Sequence, residues 1–120
     1  MARRIAKYNN QQINYQNFNL ENVNFIVDYV NKYYSATIFK KPNIVFALSL
    51  YKHLKDKICY ILKYIDFDIC FFESNNTGEG LFDSNHAHDI EASFKNYDLK
   101  FDRIGETNDR SPRCLWKIVK

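Results

Sequence analysis

The spacing of apolar residues predicts a first helix over residues 20–34. Val23, Ile26, Val27 and Val30 recur at intervals of three and four positions. This spacing places all four side chains on one stripe of a helix, and such a stripe packs against a core. The segment is therefore expected to be an amphipathic helix with one buried side.

A second pattern with helical spacing extends from Ile44 to Ile65. It predicts either one long helix or two helices separated by a break near residues 55–57. Residues 36–40, which precede it, are short and partly β-branched, so they predict a brief strand. Pro42 then ends that strand, because proline has no backbone N–H to donate.

The period of the pattern changes after Ile65. Residues 66–73 first alternate and then become fully apolar, which predicts a strand. Residues 74–80 contain two glycines and several polar residues, which is typical of a loop. Ser84 or Asn85 is a suitable N-cap for a third helix. The buried stripe of that helix is expected to hold Ala87, Ile90, Phe94 and Tyr97.

The end of the chain predicts a β-hairpin with a charged tip. Residues 99–104 and 113–119 have strand character, and residues 105–112 form a polar turn between them. The predicted fold class is therefore α+β and winged-helix-like. It comprises three main helices, a C-terminal β-hairpin and one extra strand.

Length and composition indicate one packed domain. The chain has 120 residues, of which 17% are aromatic and only three are glycine. We expect residues 1–19 to form a basic, Asn-rich arm and residues 20–120 to form a single α+β domain. No apolar run long enough to span a membrane or to serve as a signal peptide is present, so a cytoplasmic location without a membrane partner is expected.

Cysteine usage argues against a zinc ribbon or a disulfide framework. Cys59, Cys70 and Cys114 are far apart and odd in number, and no CxxC pair occurs. All three have apolar neighbours. We therefore expect buried free thiols, as is usual in a reducing compartment.

Charge is distributed in three blocks. Residues 1–60 carry nine Lys or Arg against three Asp or Glu, residues 66–98 carry one against eight, and residues 99–120 carry six against three. Two basic blocks therefore flank an acidic one. This separation favours electrostatic contacts with partners through different faces.

The helix and the hairpin that follows it resemble those of small winged-helix proteins of phages and plasmids. The resemblance rests on the order of elements and on the hairpin of residues 99–119. It implies a DNA-binding fold in which the third helix enters the major groove and the wing follows the phosphate backbone. One departure is that Asp89 and Glu91 lie on this helix, where phosphates would repel them.

Basic side chains near both chain ends are the candidate contacts to nucleic acid, because a phosphate contact needs mainly positive charge and reach. The resemblance adds residues of the third helix. The predicted set is Arg3, Arg4, Lys7, Asn85, His86, His88, Lys95, Arg110, Arg113 and Lys117.

No pattern points to catalysis, a metal or a cofactor. His86 and His88 are two positions apart, so on a helix they do not share a face. The carboxylates at 66, 68, 73 and 79 lack the closely following lysine of a metal-dependent nuclease. The chain is therefore expected not to be an enzyme.

Two functions follow from these observations. The first is a small non-enzymatic nucleic-acid-binding protein that holds phosphates, of duplex DNA above all, with a basic wing and arm. The alternative is a protein-binding inhibitor or adaptor from a mobile element, of the anti-CRISPR or anti-restriction type. Its acidic 66–98 block would imitate phosphate charge on a nucleic-acid-handling protein.

Overall fold

A computed structural model describes residues 16–75, 84–108 and 110–120. This part of the chain folds into four helices and one four-stranded mixed sheet, and none of the four helices is long and apolar enough to cross a membrane. The helices are α1 (Val23–Ser35), α2 (Tyr51–Leu54), α3 (Lys57–Tyr64) and α4 (Ser84–Asn96), and the strands are β1 (Ile44–Leu48), β2 (Ile69–Glu73), β3 (Phe101–Glu106) and β4 (Cys114–Val119).

The sheet has the strand order β1-β2-β4-β3. β1 and β2 are parallel and are connected through α2 and α3, whereas β4 is antiparallel to both β2 and β3. The last strand of the chain therefore lies inside the sheet, between β2 and β3. Because of this arrangement, β1 and β3 are the two edges.

The two faces of the sheet differ in burial. In β2 and β4, the buried residues alternate with partly exposed ones, as the period of two in a strand requires. Cys70 and Phe72 of β2 and Trp116 and Ile118 of β4 point to the helices and are fully buried. The helices thus cover one face, and we refer to the other as the open face.

The core is centred on Trp116. Its ring lies 5.6 Å from that of Phe94 on α4 and 6.0 Å from that of Phe72 on β2, both in edge-to-face geometry. Phe94 also contacts the ring of Phe101 at 5.1 Å. These rings join α4 to three strands, so aromatic packing fixes the helix on the sheet.

Several sequence-based predictions are confirmed. The first helix, the third helix, the strand before the loop and the closing hairpin all form close to their expected positions. The break near residues 55–57 occurs at Lys55, whose φ of 53° interrupts the helical backbone. All three cysteines are buried and free.

Two predicted elements are wrong, and the helix count differs. Residues 36–40 form bends rather than a strand, and the strand lies at Ile44–Leu48, inside the segment expected to be helical. Its five residues are all apolar, so their pattern is compatible with a helix as well as with a strand. Hydrogen bonding to β2 is what makes the segment a strand. Ser49, with a φ of 58°, then ends the strand. The described part thus has four helices rather than three.

We expect Phe94→Ala to destabilise the fold by about 3–5 kcal/mol, the usual cost of removing a fully buried phenylalanine ring. The measurement is the free energy of unfolding in urea, followed by circular dichroism. Phe25→Ala on α1 is the matched control, because that ring is 55% exposed. Equal losses for the two variants would contradict the central role of Phe94.

Candidate binding surfaces

The open face combines exposure with apolar chemistry. Phe46 is 65% exposed, Ile44 52% and Leu48 51%, which is unusual for side chains inside a sheet. The ring of Phe46 stacks on that of Phe71 in the next strand, with centroids 5.8 Å apart. The open face is formed by Ile44, Phe46, Leu48, Ile69, Phe71, Glu73, Asp102, Leu115, Lys117 and Val119.

The charges on this face are few and of mixed sign. Lys117 lies directly opposite Asp102 on the neighbouring strand. Glu73, at the end of β2, accepts a hydrogen bond from the Ser49 hydroxyl at 2.9 Å and lies 3.6 Å from the Arg113 guanidinium. The face is therefore close to neutral and mainly aliphatic and aromatic.

On the other face, the hairpin is joined to α4 by a charged cluster. Arg103 Nη2 and Nε lie 3.0 and 3.1 Å from Glu91 Oε2, and the Trp116 indole N–H donates to the same oxygen at 2.8 Å. The Arg103 guanidinium also lies over the Trp116 ring, 5.9 Å from its centroid. This cluster holds Arg103 against its own domain.

Glu91 has a lowered pKa. Burial alone raises the pKa of the carboxyl group, but hydrogen bonds from Trp116 and Arg103 and the charge of Arg103 favour the ionised form more strongly. A carboxylate whose pKa is lowered by folding stabilises the folded state when it is ionised. Glu91 therefore acts as a structural anion that holds the hairpin to α4.

The remaining hairpin residues of the predicted set lie in different environments. Arg113 is half-buried, and its guanidinium faces Glu73. Arg110 is exposed near the tip of the hairpin, whereas Lys117 lies on the open face. Arg113 and Lys117 thus lie toward the same face, but each is beside an acid of its own chain, Glu73 and Asp102 respectively.

The predicted residues of α4 are also divided. Asn85, His88 and Lys95 are exposed, whereas His86 is half-buried and its Nε2 accepts a hydrogen bond from the backbone N–H of Asn75 at 3.2 Å. That bond joins the start of α4 to the end of β2. The predicted arm residues Arg3, Arg4 and Lys7 lie outside the described residues.

Asn75 joins three elements and was not singled out in the sequence. Its side-chain oxygen accepts from the backbone N–H of Lys52 at 2.6 Å, and its amide donates to the carbonyl of Ser49 at 2.6 Å. Because Asn75 is 6% exposed, both bonds are shielded from water. A single asparagine after a strand is typical of a turn, so its hydrogen-bond partners can be identified only from the folded structure.

Three of the six described acids of the 66–98 block form internal ion pairs, whereas Asp66, Asp89 and Asp98 are exposed. Glu73 faces Arg113, Glu91 binds Arg103, and Asp68 lies 2.9 Å from Lys41 Nζ. Glu79 lies outside the described residues. Within the part of the chain that the structure describes, no three His, Cys, Asp or Glu side chains are grouped so that they could hold a metal ion.

An aromatic stripe on α1 is more exposed than its spacing indicates. Phe25 and Tyr33 are 55% and 41% exposed, and Tyr29 lies between them, with ring centroids 6.4 and 6.3 Å apart. The buried side of α1 is instead aliphatic and centred on Ile26 and Val27.

Comparisons with known proteins returned nothing: no family model, curated protein or solved structure matches this chain.

We expect Glu91→Gln to destabilise the protein at neutral pH, because the charge-assisted bonds to Arg103 and Trp116 are weakened. The lowered pKa means that this stabilisation is present above the unfolded-state pKa of about 4.3 and is lost as pH falls through the folded pKa. The difference between wild type and variant should therefore shrink in acid.

The measurement is urea unfolding at several pH values between about 3 and 7, chosen to bracket the carboxyl titration. Asp89→Asn, an exposed position on the same helix, controls for the loss of one negative charge. A wild-type advantage over Glu91→Gln that persisted unchanged at the acid end would contradict this role for Glu91.

Proposed function

We propose that this protein is a non-enzymatic protein-binding module that docks its partner on the open face. The single observation that carries the proposal is the one-sided sheet: helices cover one face, while the other presents Ile44, Phe46 and Leu48, each more than half exposed. Apolar patches of this kind on small domains are typical of interaction sites. Of the functions considered, this belongs to the class of inhibitors or adaptors.

The chemistry of the face selects the kind of partner. A nucleic acid requires several cations to replace the counterions of its phosphates. Lys117 and Arg113 contribute positive charge to the open face, but Glu73 and Asp102 balance them, so its net charge does not favour a polyanion. An apolar protein surface with a polar rim matches it better.

The same reasoning changes which residues an inhibitor would use. Imitation of phosphate charge needs free carboxylates, yet three of the six described acids of the block, Asp68, Glu73 and Glu91, pair with cations of their own chain. We therefore assign partner binding to the open face rather than to the acidic 66–98 block.

Nucleic-acid binding through a winged-helix-like arrangement is the second candidate. It is favoured by the direct succession of α4, β3 and β4, a helix followed by a hairpin, and by exposed Lys95 and Arg110. It is weakened by the ion pairs of Arg103 and Arg113, since a phosphate would have to displace a carboxylate.

Partner docking is tested with Val119→Lys on the open face and Ile38→Lys in the loop before β1 as the matched control. Val119 is 41% exposed and Ile38 88%, so both variants are expected to fold. A protein captured from the source cell is purified and titrated by calorimetry. We expect Val119→Lys to weaken binding at least about tenfold, because a lysine charge is desolvated in the contact.

The expected control result is that Ile38→Lys binds the captured protein like the wild type. Loss of binding in Ile38→Lys together with retention in Val119→Lys would place the contact elsewhere and overturn the proposal. Circular dichroism of both variants verifies that they are folded.

The second candidate is tested by titrating a duplex DNA and a single-stranded RNA at about 50 mM salt, where phosphate contacts are strongest. If the hairpin binds phosphates, Arg110→Ala combined with Arg113→Ala should weaken binding. The slope of log affinity against log salt concentration should also fall by the equivalent of about two phosphate contacts. Lys32→Ala combined with Lys55→Ala removes the same charge elsewhere and is the control. No binding by the wild type would eliminate this candidate.

A further inference from the structure

The two edges of the sheet differ in how they are protected. Edge strands of soluble proteins usually carry charges or bulges that prevent further pairing. β3 has both: Asp102, Arg103 and Glu106 are charged, and an irregularity interrupts its pairing at Gly105. In contrast, residues 42–50, which contain β1, hold no charged side chain.

Among the residues that the structure describes, nothing pairs with the outward backbone groups of β1. Asn43 accepts from Ile69, and Ser49 donates to Glu73, so the groups that face β2 belong to the odd-numbered residues. By alternation, the N–H and C=O groups of Ile44, Phe46 and Leu48 point away from the sheet. Within the described ranges, no hydrogen bond outside the β1–β2 ladder reaches these groups.

We propose that β1 pairs antiparallel with β1 of a second copy of this chain, around a two-fold axis at Phe46. The axis places Phe46 opposite its own counterpart and Ile44 opposite Leu48. Each of the three resulting pairs exchanges two backbone hydrogen bonds, because the groups that point outward are those of an antiparallel hydrogen-bonded pair. The two sheets become one sheet of eight strands.

A second copy fits this edge for three reasons. Residues 42–50 are uncharged, so these segments of two copies can lie side by side without like-charge repulsion. Ile44 and Leu48 are of similar size, so the two-fold register brings matching side chains together. The pairing also continues the open face across the axis, which joins the apolar strips of both copies into one surface.

The inference does not depend on partner docking and fails separately from it. The contact is made by one short strand from each copy, so we expect a dissociation constant on the order of 10 µM, as is typical of a small interface. Val119 lies on β4, two strands away from the edge. Val119→Lys should therefore leave self-association unchanged, whereas Phe46→Lys should abolish it by opposing two lysines on the axis.

The first measurement is sedimentation of the purified full chain from about 1 to 500 µM, a range that brackets the expected affinity. We expect the mass to rise from 14.4 kDa toward twice that value in the wild type and in Val119→Lys, but not in Phe46→Lys. A wild type that remains at 14.4 kDa at the highest concentration would overturn the proposal.

The second measurement fixes the register by cross-linking. In the proposed pair, the two Phe46 Cα atoms are about 5.5 Å apart, within the span of a disulfide. Phe46→Cys should therefore form a covalent dimer under mild oxidation at least about ten times faster than Ile38→Cys, a more exposed control outside β1. Comparable rates of dimer formation for the two variants would mean that the cysteines meet by random collision or that another strand pairs with β1. Either result would overturn the proposed register.

The native cysteines do not interfere with this experiment. Cys59, Cys70 and Cys114 have no exposed surface. Burial raises the pKa of Cys59 and of Cys70 to about 12, and it also raises the pKa of Cys114. Thiols of this kind are protonated at neutral pH and react slowly, so an introduced surface cysteine dominates the oxidation.

Discussion

The structure depends on how α4 is attached to the sheet around Trp116. On one side, the rings of Phe72 and Phe94 enclose the indole, and on the other its N–H donates to Glu91. Glu91 in turn binds Arg103 of the hairpin. Apolar burial thus provides most of the stabilisation, while the carboxylate sets the position of the hairpin relative to the helix.

This attachment explains why the molecule has one covered and one open side. The buried residues that face the helices take every second position in the inner strands, so the intervening positions must point the other way. Four of those positions hold the apolar residues Ile69, Phe71, Leu115 and Val119, and the other two hold Glu73 and Lys117. An apolar face that its own chain leaves exposed is the main reason to assign this protein an interaction role.

The charged residues have a different role from the one that their distribution along the sequence implies. Basic and acidic segments that are separated along the chain come together in the fold, and Arg103 and Arg113 meet Glu91 and Glu73. These pairs neutralise part of each block locally, while Asp66, Asp89 and Asp98 stay exposed. Binding is for this reason argued from apolar shape and backbone pairing rather than from net charge.

The sequence by itself determined α1, α4, the hairpin and the buried cysteines, because each depends on a local pattern or on apolar neighbours. It did not determine β1, whose five apolar residues satisfy two periods, nor the partners of Asn75 and Arg103, which lie far away along the chain. The tertiary structure alone decided which strand faces were left open. Which faces stay open follows from the order of the strands in the sheet. That order depends on the packing of the whole core, because the paired segments are distant along the chain.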